Sequence, residues 1–96
     1  MDLLLWRHAE AVDGIPDHTR ELTARGLKQA RRMARWLDEN RPKQLKVLVS
    51  PTLRTRQTAT AFTEEFEIVS SLGPDGNVAD ILAATGWPEG RGAALV

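Results

Sequence analysis

Nine residues near the start, Leu3-Leu4-Leu5-Trp6-Arg7-His8-Ala9-Glu10-Ala11, restrict the fold more than any other stretch. An unbroken apolar run stops abruptly at an arginine and a histidine. Apolar residues at successive positions, without the alternation of a half-exposed strand, predict a strand covered on both faces. Such a strand belongs in the middle of a parallel sheet, and open α/β sheets bind ligands beyond the carboxyl ends of their strands. Arg7 and His8 would emerge there. A guanidinium offers a planar fork of donors to an anion such as a phosphoryl group, and a neutral imidazole can act as nucleophile or base. Taken alone, the two residues are more simply read as a polar cap on a strand end.

The chain beyond them alternates helix and strand signals. A turn-rich loop runs from Glu10 to Glu21 through Asp13-Gly14 and Pro16-Asp17. Thr23 is placed to cap a helix, with Leu22 and Leu27 as its hydrophobic staple. Leu27, Ala30, Ala34 and Leu37, with Met33 beside them, recur at helical spacing, and Asp38-Glu39-Asn40 and Pro42 end the element. Lys46 to Val49 predicts a second buried strand. Ser50 and Pro51 then suit the cap and first position of a helix reaching about Glu65, with Leu53, Ala59, Phe62 and Phe66 toward the core. Phe66 to Val69 is a weaker strand, Leu72 to Asn77 a loop, Val78 to Ala84 a short helix, and Trp87 to Gly90 a turn. Gly92 to Val96 reads as the beginning of another buried strand, so the chain is expected to continue beyond Val96. Strands alternating with helices predict an α/β layer architecture.

Length and charge narrow the possibilities. The 96 residues fit one domain, which buries roughly 60–70% of its unfolded surface. Thirteen basic residues balance thirteen acidic ones, so no overall field favours nucleic acid or a membrane surface. The absence of cysteine excludes disulfides and thiolate chemistry. The apolar stretch at the start is too short for a signal peptide or a membrane span, and a soluble cytoplasmic protein is expected. Arg25, Lys28, Arg31, Arg32 and Arg35 fall on the first long helix, where they are either a solvated face or a contact for an acidic partner. Trp36 is the sole aromatic residue there, so nucleic acid is not expected as a partner.

A second segment, Ser50-Pro51-Thr52-Leu53-Arg54-Thr55-Arg56-Gln57-Thr58, also follows a buried strand. Arg54 falls in the first helical turn, where the macrodipole disfavours a cation. Its placement makes sense when an anion lies beside it. Thr58, one turn on, could orient Arg54. A solvated helix start with incidental arginines describes this segment equally well by itself.

Arg7-His8 together with Ser50-Pro-x-x-Arg54-x-x-x-Thr58 resembles the histidine phosphatase superfamily. Leu4-Leu5-Trp6-Arg7-His8-Ala9-Glu10-Ala11, followed by Arg20-x-Leu22-Thr23-x-x-Gly26, looks like the small bacterial phosphohistidine phosphatases of the SixA type. The likeness runs from Met1 to about Ile81. It implies a three-layer α/β fold, phosphoglycerate mutase-like, with a mostly parallel central sheet flanked by helices and cut short at the C-terminus. Residues 1–96 would then be a single histidine phosphatase-like domain, incomplete after Val96. The resemblance also implies a metal-independent phosphatase that removes phosphate from a phosphorylated protein histidine through a covalent phosphohistidine at His8. Arg7 and Arg54 would hold the phosphate oxygens; Arg20, Ser50, Thr58 and His18 are the expected substrate-binding residues. No cofactor is implied, and no carboxylate cluster offers a Mg²⁺ site. The expected partner is a phosphorylated protein, such as a histidine phosphotransfer domain, or a small phosphorylated molecule. The alternatives are a phosphatase of small phosphomonoesters or nucleotides, and a catalytically weak binding module for an acidic partner.

The chain departs from the superfamily pattern in three ways. Ala9 stands where the widespread Arg-His-Gly signature has glycine. Ser70-Ser71-Leu72-Gly73 lacks the glutamate that many members use to protonate the leaving group, which suits a phosphoramidate whose leaving group is imidazole; Asp75 is a poor substitute, read more simply as a turn residue. The second pocket histidine, which follows a late strand in the superfamily, is absent up to Val96, and the 96 residues alone are expected to be weakly active or inactive.

Overall fold

The computed structural model describes residues 2–89 and 93–95. Four strands, β1 (Asp2–Leu4), β2 (Leu45–Val49), β3 (Glu67–Ile68) and β4 (Ala93–Leu95), form one sheet in the order β1-β4-β2-β3. Every described pairing within this sheet is parallel: Asp2 and Leu45 both lie opposite Ala93, and Leu48 lies opposite Glu67. Helices α1 (Ala24–Asn40), α2 (Leu53–Thr60) and α3 (Val78–Thr85) fall between strands along the chain. Because β1 and β2 run in the same direction, their carboxyl ends share one edge. That edge receives both Arg7-His8 and the start of α2.

β2 is the best-buried strand, with Val47, Leu48 and Val49 all inaccessible, as a strand covered on both faces requires. Leu37, Val47, Val49 and Ala59 form one core cluster, joined by Leu4, Trp6, Phe62 and Phe66. Trp6 meets Phe62 edge to face, with ring centroids 6.4 Å apart. A second cluster joins Ala9, Leu22 and Ala30 beneath the site.

Three boundaries differ from the sequence expectation. β1 pairs only over Asp2–Leu4, and β4 enters between β1 and β2, so β1 is an edge strand among the described strands rather than a central one. Leu5 is 68% exposed and Trp6 leaves the ladder to pack on Phe62; neither belongs to the sheet. Helix α2 begins after Thr52, not Ser50, and ends at Thr60, short of Glu65. Its last turn tightens as Ala61 and Phe62 N–H bond three residues back, to Thr58 and Ala59. The hydroxyls of Thr58 and Thr60 also compete for the carbonyls of Arg54 and Arg56.

The third difference is the buried face of α1. Thr23 caps the helix as expected, accepting from Gly26 N–H at 2.9 Å. The buried stripe, however, is Gly26, Ala30, Ala34 and Leu37, while Leu27 and Met33 stay 36% and 43% exposed. The turn is set by Gly26, where a Cβ would overlap the Glu10 carbonyl group. Leu22 accordingly packs on Ala9 and Ala30. The later elements lie close to expectation: Asn77 and Asp80 form a capping box at the start of α3, and Gly86, at φ 72°, ends it in the left-handed region. Among the described residues, no helix is long and apolar enough to cross a membrane.

Candidate active site

The loop from Glu10 to Thr23 is clasped at its base. Ala11 and Leu22 form an antiparallel bridge, Val12 N–H donates to the Glu21 carbonyl at 2.8 Å, and Thr23 N–H donates to the Glu10 carbonyl at 3.0 Å. Its tip is a 3-10 turn, Asp17–Thr19, and that turn leans on α2.

His8 follows β1 and is partly buried. Its Nδ1 lies 2.8 Å from the Ala9 carbonyl oxygen. A carbonyl only accepts, so Nδ1 carries the proton and Nε2 presents its lone pair. Arg54 Nε–H points at that lone pair from 3.3 Å. In this tautomer Nε2, faced by Arg54, is the ring's one acceptor.

Arg54 is buried, 8% exposed, at the second residue of α2. Its Nη1 donates to the Asp17 carbonyl at 2.9 Å and its Nη2 to Asp17 Oδ2 at 3.0 Å. The anion beside this arginine in the structure is therefore the Asp17 carboxylate. Asp17 Oδ1 also accepts from Arg20 Nη1 at 3.0 Å. The Arg20 and Arg54 guanidiniums together hold the Asp17 carboxyl below the usual carboxylate range, Arg20 contributing most.

A cavity of about 430 Å³ opens at this edge. Arg7, His8, Ser50, Thr55 and Thr58 supply its polar wall, and Leu5, Trp6, Leu72 and Ile81 much of its apolar wall. Arg7 is exposed and reaches the cavity, whereas Arg54 does not line it. Ser50 lines the cavity, its Oγ accepting a long bond of 3.5 Å from Thr52 N–H. Thr58 is buried with its hydroxyl committed, donating to the Arg54 carbonyl at 2.8 Å and accepting from Ala9 N–H at 3.1 Å. It meets the Arg54 backbone rather than the guanidinium. Arg20 sits in the loop, with Nε on the Val12 carbonyl at 2.7 Å and Nη1 on Asp17. His18 is exposed on the turn and does not line the cavity.

Several supporting residues carried no clear signal in the sequence. Gln57 Oε1 accepts from Leu22 N–H at 2.7 Å, and Gln29 Oε1 from Glu10 N–H at 3.1 Å, each tying the loop to a helix. Thr55 Oγ1 lies within bonding distance of the carbonyls of Thr52 and Ser50, fixing the strand–helix junction. Asp17 lies in the same loop as Arg20, where the sequence suggests contact with substrate; its bond to Arg54 has no local cue.

The chain has relatives among known proteins. The model of the histidine phosphatase superfamily, branch 1, matches residues 3–75. The phosphohistidine phosphatase SixA of Escherichia coli K12 is 34% identical over 85 residues, covering 81% of this chain and 53% of that protein. The chain thus spans about half the length of that curated relative. Among solved structures, the protein histidine phosphatase SixA complexed with tungstate superposes with a TM-score of 0.81 at 34% identity, over 100% of this chain and 67% of that one. A protein assigned as phosphohistidine phosphatase SixA from Nakamurella multipartitia gives 0.79 at 32%, over 98% of this chain and 56% of that one. With a family match across most of its length and relatives that share its fold, the chain belongs to the histidine phosphatase superfamily, branch 1.

Proposed function

We propose that this chain is a phosphatase acting on phosphohistidine in proteins, with His8 as the phosphoryl acceptor. The observation that carries the reading is the His8 ring itself: Nδ1–H is held by the Ala9 carbonyl, and the Nε2 lone pair is left facing a buried arginine. In the first step Nε2 attacks phosphorus, the P–N bond to the substrate imidazole breaks, and that imidazole leaves with a proton from solvent. In the second, water attacks the phosphoryl group on Nε2, phosphate departs, and His8 regains its lone pair. Arg7 at the cavity wall and Arg54 beside Nε2 would stabilise the charge that spreads over the phosphoryl oxygens. Ser50 would meet the substrate at the same wall.

Similarity to SixA proteins supports the substrate class, and the tungstate held by one of them is a tetrahedral oxyanion of phosphate shape. The 3-10 turn Ser70–Leu72 and the Gly73 after it offer no acid, in keeping with a leaving group that needs little protonation. The parallel sheet with intervening helices supports reading residues 1–96 as one histidine phosphatase-like domain of three-layer, phosphoglycerate mutase-like architecture.

The test is to offer a ³²P-phosphohistidine protein, a phosphoramidate and a sugar phosphate, and then to isolate the labelled chain. Acid-labile, base-stable label that disappears in His8→Ala is the expected result. Label that persists in His8→Ala would remove His8 from the chemistry. Preferential turnover of the sugar phosphate would favour a small-molecule phosphatase.

A second reading has one observation behind it. Arg25, Lys28, Arg31, Arg32 and Arg35 are all exposed on α1, and none forms an ion pair among the described residues. This face would serve a binding module for an acidic protein. Salt-sensitive association that ignores His8 and weakens on neutralising Arg31, Arg32 and Arg35 would mark it.

A further inference from the structure

We propose that Asp17 is a positioning residue for Arg54, holding the end of the guanidinium so that its Nε edge faces His8 and moderating its charge so that phosphate can leave. The proposal rests on His8 as phosphoryl acceptor and assigns a role to a residue outside the Arg-His and Ser-Pro-x-x-Arg motifs.

Burial of Arg54 creates the need. A buried guanidinium requires a counter-charge. Among the described residues, the one carboxylate within ion-pair distance is that of Asp17. Geometry then gives the means. Both terminal nitrogens of Arg54 are bound by one residue, Nη1 by the Asp17 carbonyl and Nη2 by its carboxylate. Two attachments at one end fix the plane of a rigid fork. The Nε–H is thereby aimed at His8 Nε2, where the phosphoryl group must arrive. The loop that carries Asp17 is closed at its base by the Ala11–Leu22 bridge, and Arg20 takes the other carboxylate oxygen, Oδ1, without touching Arg54's bonds.

Position and charge act in opposite directions on two measurable quantities. A guanidinium freed from Asp17 wanders, and transfer slows, since misplacement of about 1 Å can cost roughly 100-fold. The same guanidinium, relieved of a neighbouring negative charge, attracts an oxyanion more strongly. A residue that only stabilised the loop would weaken both.

The experiment compares the wild-type chain with Asp17→Ala, which removes both the acceptor of Nη2 and its charge and leaves only the backbone carbonyl on Nη1. Three readouts are taken: the ¹⁵N signal of Arg54 Nε–H without ligand, the Kd for tungstate, and kcat with KM on a phosphohistidine protein. Asp17→Ala is expected to broaden or abolish the Nε–H signal, tighten tungstate binding by about 3- to 10-fold, and lower kcat by at least about 10-fold. Retention of both the signal and kcat within twofold overturns the proposal, as does weaker tungstate binding. Arg20→Gln guards against simple loop disorder: it leaves the Asp17–Arg54 bonds in place and should keep the Nε–H signal. If it loses the signal as Asp17→Ala does, loop order and not Asp17 is the cause. Should wild type neither hydrolyse phosphohistidine nor bind tungstate, the phosphatase reading fails, and the Nε–H signal alone decides whether Asp17 holds Arg54.

Discussion

Ala9 and Thr58 are joined across 49 positions of sequence by one buried hydrogen bond, from Ala9 N–H to Thr58 Oγ1 at 3.1 Å. The bond ties the peptide next to His8 onto α2, the helix that carries Arg54. Thr58→Val keeps the shape, removes the acceptor and leaves a buried N–H unpaired, at a cost of about 1–3 kcal/mol. Thr58→Ser should recover most of it. Urea denaturation of the three proteins is the check, and a valine variant within about 0.5 kcal/mol of wild type would show that the bond carries little.

Gly26 should resist replacement. In an exposed helix interior, alanine is better than glycine by about 1 kcal/mol. Here a Cβ would overlap the Glu10 carbonyl, backbone that belongs to the clasped loop. Gly26→Ala is therefore expected to destabilise by about 1–3 kcal/mol, the usual range for forced overpacking. A raised Tm in thermal unfolding would contradict the close approach of α1 and the loop.

Arg54→Lys preserves the charge and loses the fork. One ammonium cannot reach the Asp17 carbonyl, the Asp17 carboxylate and His8 Nε2 as the guanidinium does. Steady-state hydrolysis of phosphohistidine should fall by about 100- to 1,000-fold, the scale of losing one oriented donor at a charged transition state. A lysine enzyme within threefold of wild type would mean that charge alone suffices.

Asp17 gives the site an acid limit. Its carboxyl is held below the ordinary value of 3.8, so its bonds to Arg20 and Arg54 are complete above that value and are lost as pH falls through the lowered one. Half exposed as the side chain is, global stability should change little. A ¹³C carboxyl titration should place the midpoint below 3.8 in wild type, and Arg20→Gln should raise it, Arg20 being the larger cause. A wild-type midpoint at or above 3.8 would contradict both ion pairs.

Local chemistry made part of this molecule readable in its sequence. The β2 strand announces itself by three successive apolar residues, and α3 (Val78–Thr85) lies where the sequence places a short helix from Val78 to Ala84. Arg7-His8 and Arg54 converge because each follows a parallel strand, a matter of topology that strand–helix alternation already implies. What escaped depends on contacts distant in sequence. Asp17 meets Arg54 across 37 positions, and nothing near Asp17 indicates that partner. The buried face of α1 is decided by a carbonyl from the preceding loop, so helical periodicity chose Leu27 where packing chose Gly26. The end of α2 is set by threonine hydroxyls bonding back along the helix and by Phe62 turning to Trp6, not by a breaker residue.

The clasp at Ala11 and Leu22 makes the segment between them a ring of fixed circumference. Asp17 reaches Arg54 only because the number of residues on each arm brings the turn over α2. Inside the ring, chain length is as much a determinant of the site as side-chain identity: one inserted residue would swing the carboxylate away without altering any motif. Such a protein would keep its Arg-His pair and its Ser-Pro-x-x-Arg segment and still have its charges out of register.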